Sequence, residues 1–140
     1  MRIVYLAHPL GSPTKEGVEA NKARARRWIR WVYDNVKDVA VIADWLITVD
    51  VLDDFNPEHR AHGMKMNKAL IPVCDEFWMV GGRISSGMHD ERIVAYGTEG
   101  SVTDNHVRRV LDLTMWGDEP PEISAHLQDL LEGEGRAPVA

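Results

Sequence analysis

One cysteine, Cys74, is the only thiol in 140 residues. A disulfide framework and a cysteine-rich zinc cluster are therefore excluded, and a reducing compartment suits the chain. Cys74 closes the apolar stretch Ile71-Pro72-Val73-Cys74 and reads as a buried structural thiol. Long hydrophobic runs are missing too, and none approaches the roughly 20 residues of a membrane span. The opening Met1-Arg2-Ile3-Val4-Tyr5-Leu6 runs straight into a turn, without the apolar core of a secretory leader. The expectation is a cytoplasmic protein with no membrane partner. An excess of positive charge is also lacking: 16 Lys and Arg stand against 22 Asp and Glu, for a net charge of −6. That opposes general attraction to a nucleic-acid polymer, and a small anionic ligand would need a local site of basic side chains or backbone amides. Of the histidines, His59 and His62 are three apart, but no carboxylates are spaced around them as ligands. No metal and no cofactor is expected, and there is no internal repeat or low-complexity segment.

What is present suits one ordinary globular domain, with 44% hydrophobic and 27% charged residues. We place it at residues 1–132, with 133–140 a frayed tail. Ile3-Val4-Tyr5-Leu6-Ala7 is apolar on both faces, as a buried parallel strand would be. The prolines and glycine of His8–Pro13 end it. Thr14 is a helix N-cap, and Val18, Ala25, Ile29, Val32 and Val36 recur at helical spacing. Val39–Ala43 is a second strand. Asp44–Asn56 fits either a short helix or a packed loop. Asn56-Pro57-Glu58 caps a helix running to about Leu70, and Phe77–Val80 is a third strand. Ser85–Gly87 reads as a turn, with a helix from Met88 to about Gly97. Val110–Leu113 is a fourth strand, and Ile123–Leu131 a terminal helix. Alternating strands and helices predict an α/β fold: a three-layer flavodoxin-like or Rossmann-like sandwich on a four- to five-stranded parallel sheet.

In such folds ligands sit beyond the carboxyl ends of the strands. Three segments converge there: His8-Pro9-Leu10-Gly11-Ser12, the stretch from Asp44, and Gly81–Gly87. Ser85-Ser86-Gly87-Met88-His89-Asp90-Glu91 carries the most chemistry. Its serines and helix-start amides could hold an anion, and the positive helix end would keep Glu91 ionised as a nucleophile. The residues alone fit a polar turn with a well-placed carboxylate at least as well. The loop His8–Ser12 could cradle a phosphate or a sugar hydroxyl, or simply end its strand. Arg60, His62 and Asn67 share a helical face, which could equally be a solvated one. Arg24, Arg26, Arg27 and Arg30 read as solvent face or subunit contact, and the five tryptophans as core and interface anchors.

In combination, Ile3–Leu10, Cys74–Gly81 and the spacing Ser85-x-Gly87-Met88-x-x-Glu91 resemble the nucleoside 2-deoxyribosyltransferase-like superfamily, which includes the 2′-deoxynucleoside 5′-monophosphate N-glycosidases. The resemblance spans about Ile3 to Leu113. It implies a retaining double displacement in which Glu91 attacks C1′ of a nucleoside or nucleotide and forms a glycosyl ester. It implies that Tyr5 orients Glu91. It also implies that Ser85 and Gly87, with His8, Pro9, Leu10 and Gly11, hold the 5′ end, and that Asp44, Arg60, Arg83 and Met88 contact the substrate. Asn67 stands where such enzymes carry an aspartate that binds or protonates the departing base. An amide cannot be an acid, which passes that role to a group such as Asp44, Asp75, His89 or Asp90. A homodimer or larger homo-oligomer is implied as well. Two other readings stand beside this one. The first is a non-catalytic nucleotide-binding or sensing module on the same scaffold. The second is an interaction domain with Trp28, Trp31 and Trp116 in an oligomer interface.

Overall fold

The structure, a computed structural model, describes residues 1–97 and 107–133. The tail expected to fray lies, from residue 134 on, outside the described residues. Four parallel strands form the sheet: β1 (Arg2–Ala7), β2 (Val39–Ile42), β3 (Glu76–Met79) and β4 (Arg109–Asp112), in the order β2-β1-β3-β4. Tyr5 of β1 lies beside Ile42 on one side and Phe77 on the other. The chain steps from β1 outward to β2, then crosses back over β1 to β3. With right-handed crossovers, that reversal puts the connecting helices on opposite faces.

The core divides accordingly. Val4 and Leu6 of β1, with Trp78 and Leu111, pack against Trp28 and Val32 of α1 (Lys15–Asn35) and Leu127 and Leu131 of α5 (Ala125–Glu132). Tyr5 and Ala7, with Phe77 and Met79, face Trp45 of α2 (Trp45–Val51) and Met88 and Ala95 of α4 (Ser86–Tyr96). Ile71, in a 3-10 turn after α3 (Pro57–Leu70), joins them. Alternate residues of one strand thus feed two separate cores, which is why β1 and β3 read as unbroken apolar runs. The fold is α/β with three layers and an all-parallel sheet, flavodoxin-like in its strand order.

Helix starts follow from side-chain capping. Thr14 accepts from the Gly17 amide at 3.0 Å, Asn56 from those of Glu58 and His59, and Ser124 from that of Leu127. The terminal helix therefore begins at Ala125, not at Ile123. The helix expected from Met88 begins two residues earlier, at Ser86, because Ser85 caps it by accepting from the Met88 amide at 3.3 Å. The stretch after Asp44 is resolved as helix α2.

One expectation for the tryptophans is corrected. Trp28 does not lie in an oligomer interface: it is 0% exposed, and its indole N–H donates to the Asp118 carbonyl at 2.7 Å. Trp31 is part-buried and donates to the Pro121 carbonyl at 2.7 Å. The pair clips the segment after β4 onto α1, satisfying both indoles within the chain. Glu119 of that segment joins Arg24 and Arg27 as ion pairs, so these arginines have an intramolecular use. Cys74 is buried and free. No helix among the described residues is long and apolar enough to cross a membrane.

Candidate functional site

Strand order sets the location. β1 is flanked by β2 and β3, so the chain leaves β1 and β3 in opposite directions and opens a crevice at their carboxyl ends. A cavity of about 430 Å³ lies there. Its walls come from the loop after β1 (His8, Leu10, Gly11), the turn after β3 (Arg83, Ser85), the start of α4 (Gly87, Met88, Glu91) and the inner face of α3 (Arg60, Asn67). Three expected site residues are not on its wall: Tyr5, Pro9 and Asp44. Each acts from behind a residue that is.

Tyr5 reaches the cavity through Glu91, donating its phenol O–H to Glu91 Oε2 at 2.5 Å. Glu91 Oε1 has no partner among the described residues, so it is the oxygen left to react. Glu91 is 6% exposed. Burial pushes its carboxyl up to about 7, and the charges of Asp44 and Asp90 add to this, while the Tyr5 hydrogen bond and Lys68 oppose it. The expectation that the helix terminus keeps Glu91 ionised is therefore corrected. Glu91 is the sixth residue of α4, beyond the first turn in which the helix dipole acts, and desolvation prevails. Burial first, then Glu91 itself, keeps Tyr5 protonated far above its usual range.

His8 is nearly buried, and its ring lies parallel to that of Trp45, 6.4 Å between centroids. Its Nδ1 is 2.6 Å from the Pro9 carbonyl, which requires the proton on Nδ1 and leaves Nε2 a lone-pair acceptor without a partner among the described residues. Burial lowers its pKa to about 4, so His8 is neutral and carries no charge for an anion. Gly81 makes this packing possible. Its φ is +104°, and a Cβ there would sit 2.7 Å from both His8 Cδ2 and Pro9 Cδ. Gly81→Ala is therefore expected to cost about 2–3 kcal/mol, read from the urea midpoint. An unchanged midpoint would show that the loop after β1 is not held this way.

Asn67, with its amide turned so that Nδ2 donates, binds Asp44 Oδ2 at 2.7 Å and the Gly63 carbonyl at 3.1 Å. Its carbonyl oxygen is then the end available to a ligand. The other oxygen of Asp44, Oδ1, is buried and has no partner among the described residues, and desolvation raises that carboxyl's pKa against backbone hydrogen bonding. Asp44 is thus the acid held closest to Asn67. The other acid candidates face elsewhere. Asp75 accepts from the Ile3 amide at the far end of β1, His89 contacts Arg92 on the exposed side of α4, and Asp90 is exposed.

Two wall residues, Asp54 and His59, were not singled out by the sequence. The signal was the pairing of Asp53-Asp54 with His59-Arg60 across the Asn56-Pro57 helix start, which lets the preceding loop fold back on the first turn. His59 Nδ1 accepts the Asp53 amide at 2.9 Å, and Arg60 pairs with Asp54 at 3.3 Å. His62, expected on the same face as Arg60 and Asn67, is exposed and off the wall. Among the described residues no three His, Cys, Asp or Glu side chains gather as metal ligands. One protein family matches the chain, over residues 2–103, and its description is Domain of unknown function (DUF7768). No curated protein and no solved structure matches.

Proposed function

The chain belongs to the DUF7768 family, and since that description carries no activity we propose one from the site: cleavage, by hydrolysis or base exchange, of the N-glycosidic bond of a (deoxy)nucleoside or its 5′-monophosphate. The observation that carries it is Glu91, a buried carboxyl on a cavity wall with one oxygen tied by Tyr5 and the other open. The resemblance of Ser85-x-Gly87-Met88-x-x-Glu91 and of the β1 segment to the nucleoside 2-deoxyribosyltransferase-like superfamily supports the same reading.

The chemistry follows from that arrangement. Ionised Glu91 attacks C1′ with Oε1, the C1′–N bond breaks, and its electron pair leaves with the base, which takes up a proton. Tyr5 holds Oε2, so the carboxylate presents one lone pair in a fixed direction. Water, or the nitrogen of a second base, then attacks C1′ and frees Glu91. Asn67 offers the base a carbonyl acceptor, and Asp44 is the acid nearest to it. Because Asn67 cannot itself give a proton, a second reading, a nucleotide-binding module without turnover, rests on that amide.

One experiment separates them. The protein is incubated with a panel of deoxynucleosides and their 5′-monophosphates, free base is measured by chromatography, and an acid-quenched sample is weighed by intact-mass spectrometry. Release of base with a sugar-sized increment in the protein mass, traced after digestion to the peptide containing Glu91, is expected. Binding without release would favour the module, and neither binding nor release would sink both.

A further inference from the structure

We propose that Arg60 is the residue that recognises a phosphate on the substrate's 5′ end, and that Asp54 is the carboxylate it leaves to do so. The identity of the ligand as a nucleotide rests on the reading above; the recognition of a phosphate by Arg60 does not.

The guanidinium of Arg60 lies where Gly11 has no side chain. A Cβ built on Gly11 would stand 3.2 Å from Arg60 Nη1, so the absence of one lets α3 lay its arginine over the loop after β1. The arginine is about half exposed, at 49%, and pairs with Asp54, whose side chain is only 17% exposed. Both line the cavity, together with Ser12, His59 and Arg83. His59 accepts the Asp53 amide at Nδ1, which places its ring proton on Nε2 and makes it a donor. Beside Gly11 the wall therefore carries the Arg60 cation, paired with Asp54, and the His59 donor one residue before it. Glu91 and Asn67 line the same cavity. Arg60 and Asn67 are seven residues apart on α3, about 10 Å along the helix, a separation on the scale of phosphate to base edge in a nucleotide.

The competing location is the start of α4, where Ser85 and Gly87 were expected to hold the 5′ end. There the Ser85 amide is taken by Met88 Sδ at 3.4 Å, and the Ser85 hydroxyl, which accepts from the Met88 amide, has one donor to offer an anion and no charge. His8, neutral, brings no charge. An exposed Arg–Asp pair is worth about 0–1 kcal/mol, so a phosphate dianion that can engage the guanidinium through two N–H groups replaces Asp54 at little cost. Asp54 keeps the arginine in position while the site is empty and disfavours ligands too weakly charged to displace it.

The test measures binding, so it does not depend on turnover. 2-Deoxyribose 5-phosphate and, as control, 2-deoxyribose are titrated calorimetrically into the full chain. Wild type is expected to prefer the phosphorylated sugar. Arg60→Gln should weaken that ligand at least tenfold, Arg60→Lys should retain part of the affinity, and Asp54→Asn should tighten it severalfold. Opposite signs for the two partners are something a merely structural ion pair would not produce, and thermal melts of each variant confirm folding. Unchanged affinity in Arg60→Gln, a loss in Asp54→Asn, or no preference for the phosphorylated sugar in wild type would overturn the proposal. Base release without phosphate preference leaves the glycosidase reading standing and removes this one. Arg60-dependent phosphate binding with no base release from any nucleotide does the reverse.

Discussion

Glu91→Gln is expected to lower base release by at least about 10³-fold while leaving the protein more stable than wild type above neutral pH. The first half follows from the loss of the attacking oxygen: an amide presents a similar shape and still accepts from Tyr5, but is no nucleophile. The second follows from burial. A carboxyl whose pKa rises from 4.5 to about 7 on folding binds its proton more tightly in the native state. Its contribution to stability is fully present below about pH 4.5 and is lost as pH rises through about 7, reaching a deficit on the order of 3 kcal/mol in alkaline solution. Glutamine cannot ionise, so this part of the pH dependence should vanish in the variant. Urea unfolding of both proteins at pH 5 and pH 8.5, with base release measured in parallel, checks the two halves together. A variant that retains turnover removes Glu91 from the chemistry. A wild type whose stability does not fall relative to the variant between those pH values removes the buried, protonated carboxyl.

The second large effect is on the pH profile. Attack requires the carboxylate, so kcat/KM should fall tenfold per pH unit on the acid side of about pH 7, reaching about 100-fold below its plateau by pH 5. Tyr5→Phe removes the hydrogen bond that holds the Glu91 pKa down, so burial acts with less opposition. The acid limb should move to higher pH, with a loss of activity at pH 6 much greater than at pH 9. An equal loss at every pH would mean that Tyr5 only supports the packing around Phe77, whose ring stacks on it at 5.6 Å. An acid limb near the ordinary glutamate range would contradict the desolvation of Glu91 directly.

These expectations come from parts of the chain that differ in how readily they can be read. The apolar runs at Ile3–Ala7 and Phe77–Val80 are legible because both faces of a central parallel strand are buried, so nothing polar interrupts them. Thr14 and Asn56 are legible because a cap acts on amides within three residues. The helix containing Glu91 was placed two residues late because Ser86 and Gly87 look like turn residues; the Ser85 hydroxyl, by capping, makes them helical. Asp54 and His59 were missed because their partners form only once the loop before α3 folds onto its first turn.

Local sequence, by itself, determined the order of strands and helices, where α1 and α3 begin, and which carboxylate stands near a helix start at the strand ends. Each depends on residues a few positions apart. Only tertiary structure decided that Tyr5 meets Glu91, 86 positions away, that Arg60 lies over Gly11, and that Asn67 turns its amide toward Asp44. It also raised the pKa of Glu91 above the ordinary carboxylate range, because desolvation is a property of everything packed around a group, and no window of sequence contains it.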